Sequence, residues 1–501
     1  MIFIRQLSSQ VKRKSVSVVG SGPSGFYTAY HLLSKSPIPL HVTIWEKLPV
    51  PFGLSRYGVA PDHPEVKNCE DTFTNCAEQY ISGEVNDKNP LGHKFDFIGG
   101  VKIGEDVPLK TLIDNQDAVI LSYGCGGDKR LGIPGETDTA GVLSSREFVS
   151  WYNGHPDFAS KEKLNSFDWS RVKNVAIIGN GNVALDITRV LLSNGIPEIW
   201  DKTDISKHAL NILKHAPIET VKMIARRDFI HSKFTNKEFR ELWELEKYGI
   251  KGHISSKYFS EDMFDFEKHQ GSPLYDRAFK RRVEMCSEYL KPFDQRLKKN
   301  YKKFPPVNPI GKEWELDYLK SPVEIIKDDS NGKIKGLKLT ENEVTPDNKV
   351  ISTGKTLQYE VDLLITSLGY GGIPLQDFKT LDIGFHDSRG HIINNNGKVL
   401  DNKGQVVPHL YTSGWIRKGS QGVIASTMMD AFEVGDNVLA DLYATRDTYK
   451  HTDLAQLLRT HRHTTWFDWQ RIDKHERDAG SAEGRPRAKI EDKEEMLKYA
   501  Q

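Results

Sequence analysis

Two glycine-rich turns hold the residues best suited to chemistry. The first reads Val16-Ser17-Val18-Val19-Gly20-Ser21-Gly22-Pro23-Ser24-Gly25, and the second Val175-Ala176-Ile177-Ile178-Gly179-Asn180-Gly181-Asn182-Val183-Ala184. In such a turn the first glycine permits a tight bend, the second lets backbone approach a pyrophosphate, and the third lets helix and strand close together. The helix that follows offers unpaired N–H groups and its positive dipole end to the phosphates. Gly20, Gly22 and Gly25 fill these roles in the first turn; Gly179, Gly181 and Ala184 fill them in the second. The two units close differently. Glu46 ends the apolar run 41–46, about 20 residues past the turn, where an acid binds ribose hydroxyls. Arg226 and Arg227 follow the run 220–225, where arginines favour a 2′-phosphate. The second nucleotide therefore reads as NADP(H), and the first, early and acid-closed, as the ADP half of FAD. Two such cofactors in one chain imply hydride passing from NADPH to flavin, with the cofactors supplying the reactive chemistry. No catalytic triad or carboxylate pair is required, and none stands out.

These turns need strands before them and helices behind them. Each follows an apolar run of the kind that forms a buried parallel strand. Residues 25–34 carry Phe26, Ala29, Tyr30, Leu32 and Leu33 at helical spacing,. Further strands are expected at 117–124, 220–225 and 410–415, and a helix at 425–442. The stretch 227–320 is charged, with mixed helical patterns. Residues 323–339 and 356–368 read as strands of a sheet segment. The run Val361 to Tyr370 resembles the strand end Ser122-Tyr123-Gly124, so the chain is expected to return there to its first domain. A polar tail over 450–501, with Trp466 and Trp469 as anchors, is expected to wrap the surface.

Lys plus Arg is 69 and Asp plus Glu is 68, so net charge points to no polyanion and any charged docking surface must be local. No apolar run approaches the ~18 residues of a membrane span. Cys69, Cys76, Cys125 and Cys286 form no Cys-x-x-Cys pair, which excludes that dithiol site and the usual zinc or cluster spacings. Residues 1–14 are basic, contain serine and lack any acid, the bias of a mitochondrial targeting segment that does not belong to the fold.

Together the motifs resemble the mitochondrial adrenodoxin reductase family of NADPH:ferredoxin oxidoreductases, in a fungal-type form. The resemblance runs from Ser15 nearly to the end. It rests on residues 19–28, 50–54 and 56–68, on 179–186, on Gly414-Trp415 with 422–424, and on 484–489. It implies an α/β fold of two Rossmann-like dinucleotide-binding domains in a glutathione-reductase-like architecture, the NADP domain inserted into a discontinuous FAD domain. The implied bounds are 15–126 for the first FAD part, 127–364 for the NADP domain, and 365–501 for the second FAD part with the tail. Carried over by position, FAD contacts fall on Ser24, Glu46, Leu54, Ile103, Trp415, Gly422, Val423 and Ile424. NADP contacts fall on Asn180, Gly181, Asn182, Val183, Arg226, Arg227, Glu238 and again Gly422, whose missing side chain would let nicotinamide approach the flavin. His63 and Asp186 take family positions between the two rings, where they handle a proton or pack.

The resemblance also implies a small acidic [2Fe–2S] ferredoxin as electron acceptor, and a monomer of the mitochondrial matrix or the matrix face of the inner membrane. That ferredoxin would supply iron–sulfur cluster, haem A and related biosynthesis. An acidic carrier needs a basic dock. The candidates are Lys280, Arg281 and Arg282, or the run Lys291, Arg296, Lys298, Lys299, Lys302 and Lys303. Three positions depart from the family. Ser24 replaces alanine, Asp228-Phe229 replaces Gly-Pro, and Lys418-Gly-Ser-Gln-Gly422 replaces Arg-Gly-Pro-Thr-Gly, which predicts a looser loop beside the nicotinamide. The residues alone leave open a glutamate-synthase-like electron-input module, a flavin monooxygenase or a non-enzymatic NADP sensor.

Overall fold

A computed structural model of the chain describes residues 12–422, 424–448 and 458–499. Two sheets organise it. The first has seven strands in the order Asn394–Asn395, Lys398–Leu400, Val406–Thr412, Ala118–Leu121, Lys14–Val19, Leu40–Glu46 and Lys94–Gly99. The five adjacent strands from Val406–Thr412 to Lys94–Gly99 pair in parallel. The second has six strands, all parallel, in the order Val142–Ser144, Leu363–Thr366, Asn174–Ile178, Thr220–Ile224, Lys312–Asp317 and Ile250–Ile254. Parallel strands covered on both faces need unbroken apolar runs. Val16, Val18, Ile44 and Ile120, like Ile177, Met223 and Leu364, are fully buried.

The chain leaves the first sheet after Leu121, builds the second, and comes back. The two crossing segments, Gly127–Asp128 and Tyr370–Gly371, pair with each other antiparallel. The second Rossmann-like unit is thus inserted into the first. The return comes later than residue 365, however. Leu363–Thr366 lies in the second sheet, between Asn174–Ile178 and Val142–Ser144. Its likeness to the 117–124 strand has another cause. Each is the strand that abuts its own unit's glycine turn, so each ends in the same small residues.

The charged stretch after Thr220–Ile224 supplies helices at Asn236–Trp243 and Arg277–Tyr289. The segment 320–360 forms a separate three-stranded antiparallel sheet. Helix Ile424–Ala444 packs on helix Pro23–Lys35 through Ala431, Val434 and Val438 against Ala29 and Leu32, all fully buried. Each buried Val or Leu here contributes ~1.5–3 kcal/mol, and each alanine methyl about 0.8 kcal/mol.

The tail anchors as expected: Trp466 and Trp469 are buried against Phe52. It also reaches across. Arg485 Nε donates to the Thr203 carbonyl at 3.0 Å and Lys489 meets Asp204 at 2.9 Å, while Arg487 pairs with Glu476 inside the tail at 2.6 Å. Residues 1–11 of the expected targeting segment lie outside the described residues. Its end does belong to the fold, since Arg13 donates to the Gly83 carbonyl at 2.7 Å and Lys14 opens the first strand, buried. Among the described residues no helix is long and apolar enough to cross a membrane.

Candidate functional site: two nucleotide cradles and the charged cluster between them

The first cradle is built around Gly20. Its φ of +106° lies where only glycine is comfortable, and a Cβ there would stand 2.6 Å from the Ser122 carbonyl oxygen. A Cβ on Gly25 would overlap the Gly20 carbonyl, whereas one on Gly22 would meet nothing within 4 Å. The bend and the helix contact are therefore closed, and the middle glycine faces open space at the N-terminus of helix Pro23–Lys35. Gly124 and Gly126 face open space beside it. Phe52 N–H donates to the Ser21 carbonyl at 3.0 Å, which brings the 50–54 loop over the turn. Glu46 is buried at the strand tip. Its carboxylate accepts from Ser21 N–H (3.1 Å), Ser21 Oγ–H (2.6 Å) and Leu48 N–H (3.0 Å). Ser24 Oγ lies 2.8 Å from Ser413 Oγ, and a Cβ on Gly414 would stand 2.5 Å from Ser24 Oγ. Ser24, larger than the family's alanine, is thus tied to the returning chain. Ile103 is buried and Leu54 exposed. Trp415 stacks on Tyr370 at 5.9 Å between ring centres. Gly422 is exposed at φ +83°, ahead of helix Ile424–Ala444. Val423 lies outside the described residues. An anionic dinucleotide fits this open, glycine-lined helix N-terminus.

The second cradle repeats the plan. Gly179 has φ +125°, and a Cβ there would overlap the Ser367 carbonyl; Gly181 faces open space. Ala184 is fully buried. Asn182 Oδ1 accepts from Thr235 N–H at 2.8 Å, and Asn180 Nδ2 donates to Ser232 Oγ at 3.2 Å. These bonds fasten the turn to the segment ahead of helix Asn236–Trp243. Val183 is half-buried in the same turn, and Arg226 is exposed at the end of the next strand. Arg227 Nε, Thr235 Oγ1 and Glu238 Oε2 are buried without a hydrogen-bond partner in the chain. Buried polar atoms need partners, and a phosphorylated ribose beside this turn would supply them.

The loop at 418–422 is firmer than its sequence suggests. Ser420 Oγ donates to the Tyr370 carbonyl at 2.7 Å and accepts from Tyr370 N–H at 3.0 Å. Lys418 pairs with buried Asp430 at 2.7 Å. The serine in place of proline pins the loop through its hydroxyl instead of through its ring.

His63 and Asp186 are brought together by a residue the sequence did not flag. Arg189, buried, donates Nε and Nη2 to the two oxygens of Asp62, each at 2.9 Å. Its Nη2 stands 3.2 Å from His63 Nε2, and its Nη1 3.0 Å from Asp186 Oδ1 and 3.5 Å from Glu241 Oε2. The Asp186 contact is ionic without hydrogen-bond alignment, since neither atom has a hydrogen-bond partner. His63 Nε2 lies 2.6 Å from Glu241 Oε2. Burial is the largest influence on His63 and works against the protonated ring, but the bond to Glu241 together with the charges of Asp62 and Asp186 outweighs it, and its pKa is raised. Burial pushes Asp186 up to about 6 despite Arg189. Burial opposes ionised Asp62, and the Arg189 guanidinium still holds it below the usual carboxylate range. A buried charged cluster of this kind, with His63 and Asp186 both shifted upward, is where proton handling is expected. Helical spacing could have flagged Arg189, which follows Asp186 by one turn. Glu241 and Asp62 had no local signal.

The proposed basic docks are corrected in part. Arg282 is buried, and its guanidinium donates to the Ser232 and Phe234 carbonyls at 2.8 Å each. Arg296 is buried against Glu246. Both staple their own unit and are withheld from solvent. Lys280, Arg281, Lys299, Lys302 and Lys303 are exposed, Lys291 is half-buried against Glu288, and Lys298 pairs with Glu284.

A family model described as an NAD(P)-binding Rossmann-like domain matches residues 18–80. The probable mitochondrial NADPH:adrenodoxin oxidoreductase of Saccharomyces cerevisiae is 62% identical over 501 residues, covering 99% of this chain and 98% of that protein. The human mitochondrial NADPH:adrenodoxin oxidoreductase is 36% identical, covering 99% of this chain and 94% of that protein. Among solved structures, Mycobacterium tuberculosis FprA in complex with NADPH is 31% identical with a TM-score of 0.81, covering 98% of this chain and all of that one.

Proposed function

From the premise that the chain belongs to the NADPH:adrenodoxin oxidoreductase family, we propose that it takes reducing equivalents from NADPH and passes them to an adrenodoxin-type [2Fe–2S] ferredoxin in mitochondria. The reading is carried by the unlike closures of two like cradles, buried Glu46 for one nucleotide and Arg226 with Arg227 for the other. FAD, when bound in the first cradle, accepts a hydride equivalent and releases single electrons. The chain binds, orients and excludes water. Gly22 and the N-terminus of helix Pro23–Lys35 hold the FAD pyrophosphate, with Ser24, Leu54, Ile103, Trp415 and the 422–424 segment along its length. Glu46 faces the ribose. Gly181 with Asn180, Asn182 and Val183 holds the NADPH pyrophosphate. Arg226 and Arg227 take the 2′-phosphate, and Glu238 a ribose-side contact. Gly422 lets the two rings meet. His63 and Asp186 hold a proton beside them.

Electrons leave the chain, because no Cys-x-x-Cys pair exists to receive them. Lys280 and Arg281, with Lys299, Lys302 and Lys303 on the neighbouring segment, offer an acidic carrier a basic face. Tyr301 Oη donates to Glu284 at 2.9 Å and holds that segment against helix Arg277–Tyr289. Reduction of cytochrome c by NADPH should require added ferredoxin. Charge reversal at Lys280 and Arg281 should slow ferredoxin reduction at low salt by roughly tenfold and leave ferricyanide reduction unchanged. Equal ferredoxin rates would remove this dock.

A further inference from the structure

Arg189 sits at the crossing of both units. It belongs to helix Asn182–Leu192, the helix opened by the second turn. Its guanidinium leaves that unit and grips Asp62 of the first with two parallel bonds of 2.9 Å. A planar fork is the side chain suited to such a grip, and lysine cannot reproduce it. The two residues it holds, Asp62 directly and His63 beside it, precede the short helix Pro64–Asn68. The side chain is 4% exposed, so this ion pair is screened little by salt.

The remaining nitrogens create a competition. Glu241 Oε2 at 2.6 Å requires a proton on His63 Nε2, whereas Arg189 Nη2 at 3.2 Å can bond Nε2 only through its lone pair,. One nitrogen cannot serve both. Asp62, Asp186 and Glu241 favour the protonated ring, and the guanidinium disfavours it. Lys237 stands 4.0 Å from Glu241 and also pairs with Glu65, so it tempers Glu241 from the other side. Buried Tyr152 completes the surroundings, with a hydroxyl that has no hydrogen-bond partner.

We propose that Arg189 is a positioning residue for the transfer between the two cofactor sites: it clamps the Asp62–His63 loop of the first unit to the second-turn helix, and its contest with Glu241 over His63 Nε2 sets the proton state of that ring. The clamp fixes one distance and one charge together, because the same guanidinium makes both contacts. Loosening Asp62 and neutralising Arg189 therefore act alike on geometry and oppositely on His63.

This rests on reading the site as the meeting place of nicotinamide and flavin. The test compares Arg189→Met, Arg189→Lys and Asp62→Asn holoenzymes with the unmodified protein. Two signals are followed from about pH 5 to about pH 8. One is anaerobic stopped-flow bleaching by NADPH. The other is the nitrogen NMR titration of the His63 ring, assigned with His63→Gln. Bleaching should slow roughly tenfold to a hundredfold in Arg189→Met and in Asp62→Asn, as expected for a misplaced reacting group. The His63 midpoint should rise in Arg189→Met, fall in Asp62→Asn, and stay near its original value in Arg189→Lys, which keeps the charge and loses the fork. Midpoints that do not move, with pH profiles that superimpose after scaling, would overturn the clamp even if rates fell. Should Arg189→Met fail to fold, Arg189→Gln, which also removes the charge, takes its place and must raise the His63 midpoint; an unmoved midpoint there overturns the proposal. If the cofactor reading itself is wrong, the unmodified protein will not bleach with NADPH at all.

Discussion

The two glycine turns share one plan, and two of their differences carry the argument. At the third small residue the first turn has Gly25 and the second Ala184. In the first turn a Cβ would overlap the Gly20 carbonyl, so that helix lies closer to its strand than its counterpart does. At the end of the following strand the first has Glu46, buried and held by three hydrogen bonds, and the second has Arg226, exposed at the mouth. An acid that receives ribose hydroxyls can be built in and fixed in advance. A cation that receives a phosphate from solvent is left at the entrance, where its charge also attracts the anion. On the proposed assignment, the same scaffold separates a cofactor that stays from one that comes and goes.

The strongest way to break this comparison is Gly25→Ala. The added methyl must displace backbone, and overpacking of that kind typically costs ~1–3 kcal/mol or more. The variant should purify without flavin colour, read from its visible spectrum; retention of full flavin would show that the first helix is no closer than the second. Next, Arg226→Ala with Arg227→Ala removes two charge-assisted contacts of ~1.5–3 kcal/mol each. KM for NADPH should rise at least tenfold while that for NADH changes little, measured with ferricyanide as acceptor.

A third test addresses the cluster between the turns. Asp186 has its pKa raised in the folded chain from 3.8 to about 6. Between those values the folded state binds more protons than the unfolded one, so stability falls as pH rises through the window. Asp186→Asn should remove that slope in thermal melts from about pH 4 to about pH 6. The smallest effect is expected for Ala184→Gly, which costs ~0.5–1 kcal/mol in helix propensity and about 0.8 kcal/mol for the buried methyl it gives up. Its NADPH kinetics should match those of the unmodified protein.

The turns and their closures were legible because a dinucleotide site is written in local spacing: strand, bend, helix and strand end all lie within one short run. The parallel sheets followed from the apolar runs around Val18, Ile120, Ile177 and Met223. What local text could not give was partnership across the chain. Arg282 and Arg296 look like surface charge in a basic run, yet each turns inward to carbonyls or to Glu246. Residues 363–366 read as a return to the first domain because both units end their turn-abutting strands alike. Arg189, Asp62 and Glu241 come from three separate segments and meet only when the units close. The reach of Arg485 and Lys489 across to Thr203 and Asp204 is equally nonlocal.

The most direct measurement is anaerobic mixing of the purified yellow protein with NADPH or NADH while the flavin band is watched. Rapid bleaching by NADPH, at least tenfold slower bleaching by NADH, and collapse of that gap in the Arg226→Ala, Arg227→Ala protein are expected from ~1.5–3 kcal/mol per lost phosphate contact. A colourless protein, or one bleached equally fast by both nucleotides, would contradict the assignment of the two cradles.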